Sequence, residues 1–150
     1  MAIASRIVVA TDFSTAATSA FAPARELAEA TGGEIHLVHV WDESVPVPSE
    51  DGGHLASLEE ATPTLETRMH ALAAEHLAKV PVHVDVIRGD AVGEAIVGFA
   101  EQVKADLIVI ATEGATGLER FILGSVAERV VRRASCPVLT VRRHAAESDT

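Results

Sequence analysis

Asp106-Leu107-Ile108-Val109-Ile110-Ala111-Thr112-Glu113-Gly114-Ala115-Thr116-Gly117-Leu118-Glu119-Arg120-Phe121-Ile122-Leu123-Gly124-Ser125 sets the architecture of the whole chain. From Leu107 to Ala111 every residue is apolar and most are branched, the pattern of a central strand buried on both faces of a parallel sheet. Gly114 and Gly117 follow, where the chain can take positive φ, and Gly124-Ser125 precede helix-forming sequence from Val126 to Ala134. The order is therefore strand, glycine loop, helix start. A helix N-terminus carries unsatisfied backbone N–H groups and partial positive charge, and so attracts phosphate. Gly124 would let a ligand approach closely, and Ser125 can cap the helix or offer its hydroxyl. Equally, Ser125 is only an N-cap and the glycines only turn residues, since such loops are common in α/β folds.

Outward from that stretch the same alternation recurs. Arg6-Ile7-Val8-Val9-Ala10 is an apolar strand ending in Thr11-Asp12; Ser14 or Thr15 opens a helical pattern of Ala20, Phe21, Ala24, Leu27, Ala28 and Thr31, and Gly32-Gly33 stop it. Glu34 to Val40 is a second strand, completing a βαβ unit with a right-handed crossover. Residues 42–67 hold seven carboxylates, no lysine or arginine, and prolines at 46, 48 and 63. The spacing predicts a flexible acidic loop over about 42–62 and a helix from about Pro63 to Leu77, with Leu65, Met69, Leu72, Ala73 and His76 on one stripe. Val82 to Ile87 alternates, as a half-exposed strand near an edge would. Arg88-Gly89-Asp90 is a turn, and Ala91 to Val103 a helix with Val92, Ala95, Ile96, Phe99 and Val103 inward. Pro137 to Val141 is a fifth strand, and the tail 144–150 reads as frayed.

Five strands and four helices imply a doubly wound α/β fold with a parallel sheet, residues 1–150 forming one domain. The strands Ile7–Ala10 and Leu107–Ala111 should lie centrally where strand order reverses, and ligands bind in that crevice. Aromatic residues make up only 3% of a chain that is 48% hydrophobic, so the core is aliphatic, which favours α/β over an aromatic-rich sandwich. The net charge of −10 argues against nucleic acid as a partner, because backbone binding needs excess positive charge. One cysteine, Cys136, excludes an intrachain disulfide framework and is compatible with a reducing compartment. No signal-peptide pattern opens the chain and no apolar run reaches membrane-spanning length, so a cytoplasmic protein without membrane contact is expected.

The stretch from Gly114 to Ser125 resembles the signature of the universal stress protein family: a glycine, two residues, a second glycine, nine residues, then Gly-Ser or Gly-Thr, forming an ATP-binding loop. Here the second glycine is Gly114, and Gly124-Ser125 close the motif; the continuation Gly124 to Leu139 is also similar to the family's helix and last strand. Two positions depart from it. Ala111 stands for the first glycine, and Glu113 stands where the family usually has histidine. A carboxylate there repels an anion unless a metal ion or an arginine intervenes.

The resemblance covers nearly the whole chain. It implies a Rossmann-like sheet of the adenine nucleotide alpha-hydrolase type with strand order 3-2-1-4-5, and a homodimer joined through the edge strand Val138–Val141. It implies a regulatory, stress-response protein that binds an adenine nucleotide, ATP with Mg²⁺. The implied ligand-binding positions are Thr11, Asp12, Val40, Ile110, Ala111, Gly114, Gly117, Gly124, Ser125 and Val126. Adenine would lie against Val40 and the Thr11-Asp12 strand end, ribose and phosphates along Ala111 to Gly114, and terminal phosphates on the Gly124-Ser125-Val126 amides. Read without the resemblance, Asp12 begins a turn or caps a helix and Val40 is ordinary core.

No catalytic constellation stands out. The chain lacks a Gly-x-Ser-x-Gly elbow, a Walker loop with its lysine, and a Rossmann Gly-x-Gly-x-x-Gly. Its seven histidines are scattered, with His70 and His76 six apart, so no metal site is expected. Cys136 has Arg132 and Arg133 nearby but no recognisable basic partner, and reads as an inert thiol. Arg129, Arg132, Arg133, Arg142 and Arg143 form either a partner patch or cations complementing a helix dipole. Two alternatives remain beside the nucleotide-binding reading. One is a dimeric interaction module with an empty pocket, motivated by Glu113 and the acidic segment. The other is a slow ATP-hydrolysing or adenylyl-transferring enzyme.

Overall fold

The computed structural model describes residues 4–42, 44, 46–113 and 123–142. Strands β1 (Arg6–Ala10), β2 (Glu34–Trp41), β5 (Val82–Arg88), β6 (Leu107–Ala111) and β7 (Val138–Val141) form one parallel sheet in the order β5-β2-β1-β6-β7. Counting only these five, the order is 3-2-1-4-5, as expected. β3 (Val47–Pro48) and β4 (His54–Leu55) pair as a small antiparallel ribbon apart from it.

The strands are apolar on both faces because helices cover both. Ile7, Val9, Ile35, Leu37, Leu107 and Val109 face helix α1 (Phe21–Thr31) and helix α2 (Leu58–His76), packing with Phe21, Ala24, Ala28 and Met69. The alternate residues Val8, Val38, Val40, Ile108 and Ile110 face helix α3 (Val92–Gln102) and helix α4 (Ser125–Arg133), packing with Ile96, Phe99, Ala127 and Val130. β6 is buried at every position, while β5 at the edge is half exposed. At the amino-terminal end, Asp106 fixes the start of β6 against β1: its carboxylate accepts from Ser5 Oγ at 2.6 Å and from the Arg6 amide at 3.1 Å.

Three boundaries differ from the sequence reading. Helix α2 starts at Leu58, not near Pro63. Ser57 caps it, its Oγ accepting from the Glu60 amide at 3.2 Å, while the Glu60 carboxylate accepts from the Ala56 amide at 3.0 Å. Those two bonds and buried Ala61 hold the first turn, and Pro63 sits inside the helix, lacking one N–H. The acidic segment is correspondingly shorter and carries the β3–β4 ribbon, with Val47 buried beside Trp41, Ala61 and Leu65. A 3-10 turn over Ala17–Ala20 precedes α1, which stops at Gly32 in the left-handed region (φ 69°). Finally, α4 begins at Ser125 with Gly124 as its cap residue, so the Ser125 side chain is not the N-cap. Gly114, Gly117, Arg120, Arg143 and the tail 144–150 lie outside the described residues.

Candidate functional site

β1 and β6 run side by side in the sheet, yet β1 feeds α1 on one face and β6 leads to α4 on the other. Chain leaving the two carboxyl ends therefore diverges and leaves a crevice. The crevice holds a pocket of about 500 Å³. All eight described positions that the sequence singled out line it: Thr11, Asp12, Val40, Ile110, Ala111, Gly124, Ser125 and Val126. Gly114 and Gly117 belong to the residues not described.

Each wall has a local cause. After β1, Thr11 bonds its amide to the Val38 carbonyl at 2.9 Å, and its Oγ1 accepts from the Phe13 amide at 3.0 Å. Asp12 accepts from the Ser14 amide at 2.9 Å, an Asx turn. Between those bonds Phe13 is held at φ 66°, a region an aromatic residue rarely adopts. The turn reading of Asp12 is thus correct, and the residue lines the pocket as well. His39 Nδ1 lies 2.8 Å from the Thr11 carbonyl and its ring is 4.6 Å from that of Phe13. Burial pushes the His39 pKa down, although the Thr11 bond works against it. A neutral ring facing a carbonyl must carry its proton on Nδ1.

On the other side of the crevice Thr112 donates its amide to Val141 at 2.9 Å and accepts from the Gly124 amide at 2.8 Å. The start of α4 is pinned there to the end of β6, and the helix's first amides open beside the pocket. Gly124 has φ −60° and ψ 154°, a backbone any residue can adopt. What glycine supplies here is the absence of a side chain. Behind this wall, a Cβ on Gly93 would sit 2.7 Å from Arg129 Cβ, so α3 and α4 touch through a glycine. A Cβ on Gly89 would likewise meet Ala95 at 2.6 Å and Val40 at 3.2 Å.

Residues that sequence reasoning missed complete the pocket. Trp41, Val47 and Leu65 add apolar wall, the last two from the acidic segment and α2. Arg68 contributes positive charge, its guanidinium carbon 4.0 Å from the centre of the Phe13 ring. A basic residue on the apolar stripe of α2, between Leu65 and Met69, was the available signal. Asp42 and Glu113 also line the pocket. Two buried polar atoms on its walls, Trp41 Nε1 and Thr112 Oγ1, find no hydrogen-bond partner among the described residues.

Elsewhere, burial and the Asp106 charge raise the Cys136 thiol pKa, which agrees with an inert thiol. Arg129 pairs with Glu94 at 3.1 Å and Arg132 with Glu128 at 3.0 Å, so both are engaged in surface ion pairs. Among the described residues no helix is long and apolar enough to cross a membrane.

A doubly wound α/β fold with a pocket at its switch point defines the class. Within it the chain belongs to the universal stress protein family, whose profile matches residues 4–142. It is similar to universal stress protein MJ0531 of Methanocaldococcus jannaschii, 40% identical over 142 residues that span 92% of this chain and 82% of the relative. A universal stress protein of Thermus aquaticus is 36% identical over 138 residues, spanning 91% and 97%. Among solved structures, that of MJ0577 matches with a TM-score of 0.75 at 27% identity, over 96% of this chain and 99% of that one. The universal stress protein of Archaeoglobus fulgidus, solved in complex with dAMP, matches with a TM-score of 0.63 at 27% identity, over 93% and 99%.

Proposed function

We propose that this universal stress protein binds an adenine nucleotide, ATP with Mg²⁺, in the switch-point pocket and acts as a regulatory dimer rather than a fast enzyme. The observation that carries the reading is the convergence of the eight described motif positions on one pocket beside the start of α4. A volume near 500 Å³ suits a nucleoside with part of its phosphate chain. The dAMP bound by the Archaeoglobus fulgidus relative supports the base and the first phosphate.

In this reading the base lies against Val40 and the Thr11-Asp12 strand end, the ribose and first phosphates pass along Ile110 and Ala111, and the terminal phosphates meet the Gly124, Ser125 and Val126 amides. Gly114 and Gly117 belong to the same loop. Trp41 Nε1 and Thr112 Oγ1, without a partner among the described residues, are then donors held for the ligand. Magnesium fits the donor chemistry, since the carboxylates of Asp12 and Glu113 line the same pocket and are hard oxygen ligands. When bound, the ion would offset their charge toward the phosphates. For the dimer, β7 is an edge strand with Leu139 38% exposed, and Val131 of α4 is 46% exposed. Pairing with a second copy would cover both. Leu139→Lys should therefore yield a monomer in sedimentation.

The test begins by denaturing the purified protein, identifying any small molecule released, and titrating the emptied protein calorimetrically with Mg-ATP. Saturation near one nucleotide per subunit is expected, with no fast turnover. A protein that ignores ATP, ADP and AMP would instead be a dimeric interaction module. ATP turnover that collapses in Asp12→Ala would make it an enzyme.

A further inference from the structure

The register of β2 with β5 assembles a group that spacing along the chain conceals. His36 and His83 are direct partners across the two strands, and Glu34 lies two residues before His36 on the same strand face. The imidazole rings stack, with centroids 4.8 Å apart and planes at 21°. His83 Nε2 donates to Glu34 Oε2 at 2.7 Å, and His36 Nε2 is 3.6 Å from Glu34 Oε1. One donor atom from each of the three lies within 4.8 Å of the others.

We propose that Glu34, His36 and His83 form a binding site for a divalent transition-metal ion of the zinc class, separate from the nucleotide pocket. Three features carry it. First, two imidazoles and a carboxylate are a zinc-type ligand set, and bonds of about 2.0–2.1 Å place tetrahedral ligand atoms about 3.3 Å apart. The observed 2.7 and 3.6 Å straddle that spacing. Second, His36 Nε2 is buried and has no hydrogen-bond partner among the described residues, although its side chain as a whole is 13% exposed. A metal bond would satisfy this nitrogen, which the present geometry leaves short of hydrogen-bond distance. Third, the His83 side chain is 56% exposed, so the ring can swing aside to admit an ion and leaves a coordination position for water.

The site's ligands differ in freedom. His36 sits on a strand beside the central β1 and is the fixed member, while His83 on the edge strand is the adjustable one. Arg6 competes for the Glu34 carboxylate, its Nε 3.5 Å from Oε1, but that side chain is 49% exposed and an exposed ion pair is weak. The chain's net charge of −10 favours a cation further. His36 lies four residues before Val40, about 13 Å along the strand, so the two sites occupy opposite ends of the sheet.

The test uses the full chain, stripped with a chelator and free of nucleotide, titrated with Zn²⁺ alone against a chromophoric chelator. One saturable equivalent per chain is expected to depend on this cluster. His83→Gln and Glu34→Gln should each weaken it by about tenfold or more, no less than the loss of an outer-shell partner. His70→Gln, elsewhere on α2, should leave it unchanged. Cobalt(II) should give the intense visible absorption of a low-coordinate site, and His83→Gln should abolish it. Affinity in His83→Gln equal to that of the parent chain, or no saturable equivalent in the parent, overturns the proposal. Because no nucleotide is present, neither result depends on the pocket.

Discussion

The Gly124 amide donates to the Thr112 carbonyl at 2.8 Å, joining the first residue beyond β6 to the cap of α4. A loop whose ends are tied in this way presents the helix start at a fixed place beside the sheet, so ligand approach depends on what projects from Gly124. Valine fits the local backbone, φ −60° and ψ 154°, and should leave the fold in place. It puts two methyl groups where the phosphates are proposed to lie. Gly124→Val is expected to weaken Mg-ATP at least tenfold, about 1.4 kcal/mol, by calorimetry. Unchanged affinity would remove the phosphates from the α4 terminus.

Glu113 gives a prediction whose sign depends on the metal. In the proposed site its carboxylate would repel a triphosphate without Mg²⁺ and would supply a ligand with it. Glu113→Gln should therefore bind ATP more tightly than the parent chain in a chelator and more weakly in excess Mg²⁺, by roughly tenfold each way. A change of the same sign in both buffers would show that Glu113 does not reach the ion.

Two glycines of α3 should respond oppositely to alanine. At Gly93 a new Cβ would lie 2.7 Å from Arg129 Cβ and Cγ, so α4 must shift. Gly93→Ala is expected to cost about 1–3 kcal/mol in urea unfolding and to weaken nucleotide binding, because α4 carries the proposed phosphate amides. At Gly98 nothing lies within 4 Å. Gly98→Ala should stabilise the protein by about 0.5–1 kcal/mol and leave binding unchanged. Equal effects at the two sites would mean that the α3–α4 contact is not tight.

The central places of β1 and β6 and the crevice at their ends were legible in short-range patterns, whereas the full strand order followed from the resemblance to the universal stress protein family. The buried run Leu107–Ala111 identifies a strand covered on both faces, and residues at the ends of two central strands face one crevice whatever the loops do. What escaped depends on geometry between distant segments. Pro63 looked like a helix start because proline favours the first turn, but Ser57 and Glu60 already capped the chain upstream. Arg68 lines the pocket only because α2 packs where Phe13 turns back under it. Glu34 and His36 are 47 or more residues from His83 in sequence, and only strand register reveals that they meet.

His39 ties acid stability to the pocket floor. Burial lowers its folded pKa, so the folded protein keeps the ring neutral to a lower pH than the unfolded chain, where it titrates near 6.5. Between the two values the unfolded chain binds more protons, and stability therefore rises with pH through that window and is lost as pH falls below about 6.5. The contribution is fully present above the unfolded value. His39→Phe keeps a ring against Phe13 but cannot titrate, and it leaves the Thr11 carbonyl without its 2.8 Å bond. The variant should be less stable at neutral pH by about 0.5–1.5 kcal/mol and should lose stability less steeply between about pH 7 and 5. Urea midpoints at several pH values measure both effects. If parent and variant run parallel over that range, the proton uptake belongs to another group and His39 serves only to hold the Thr11 turn.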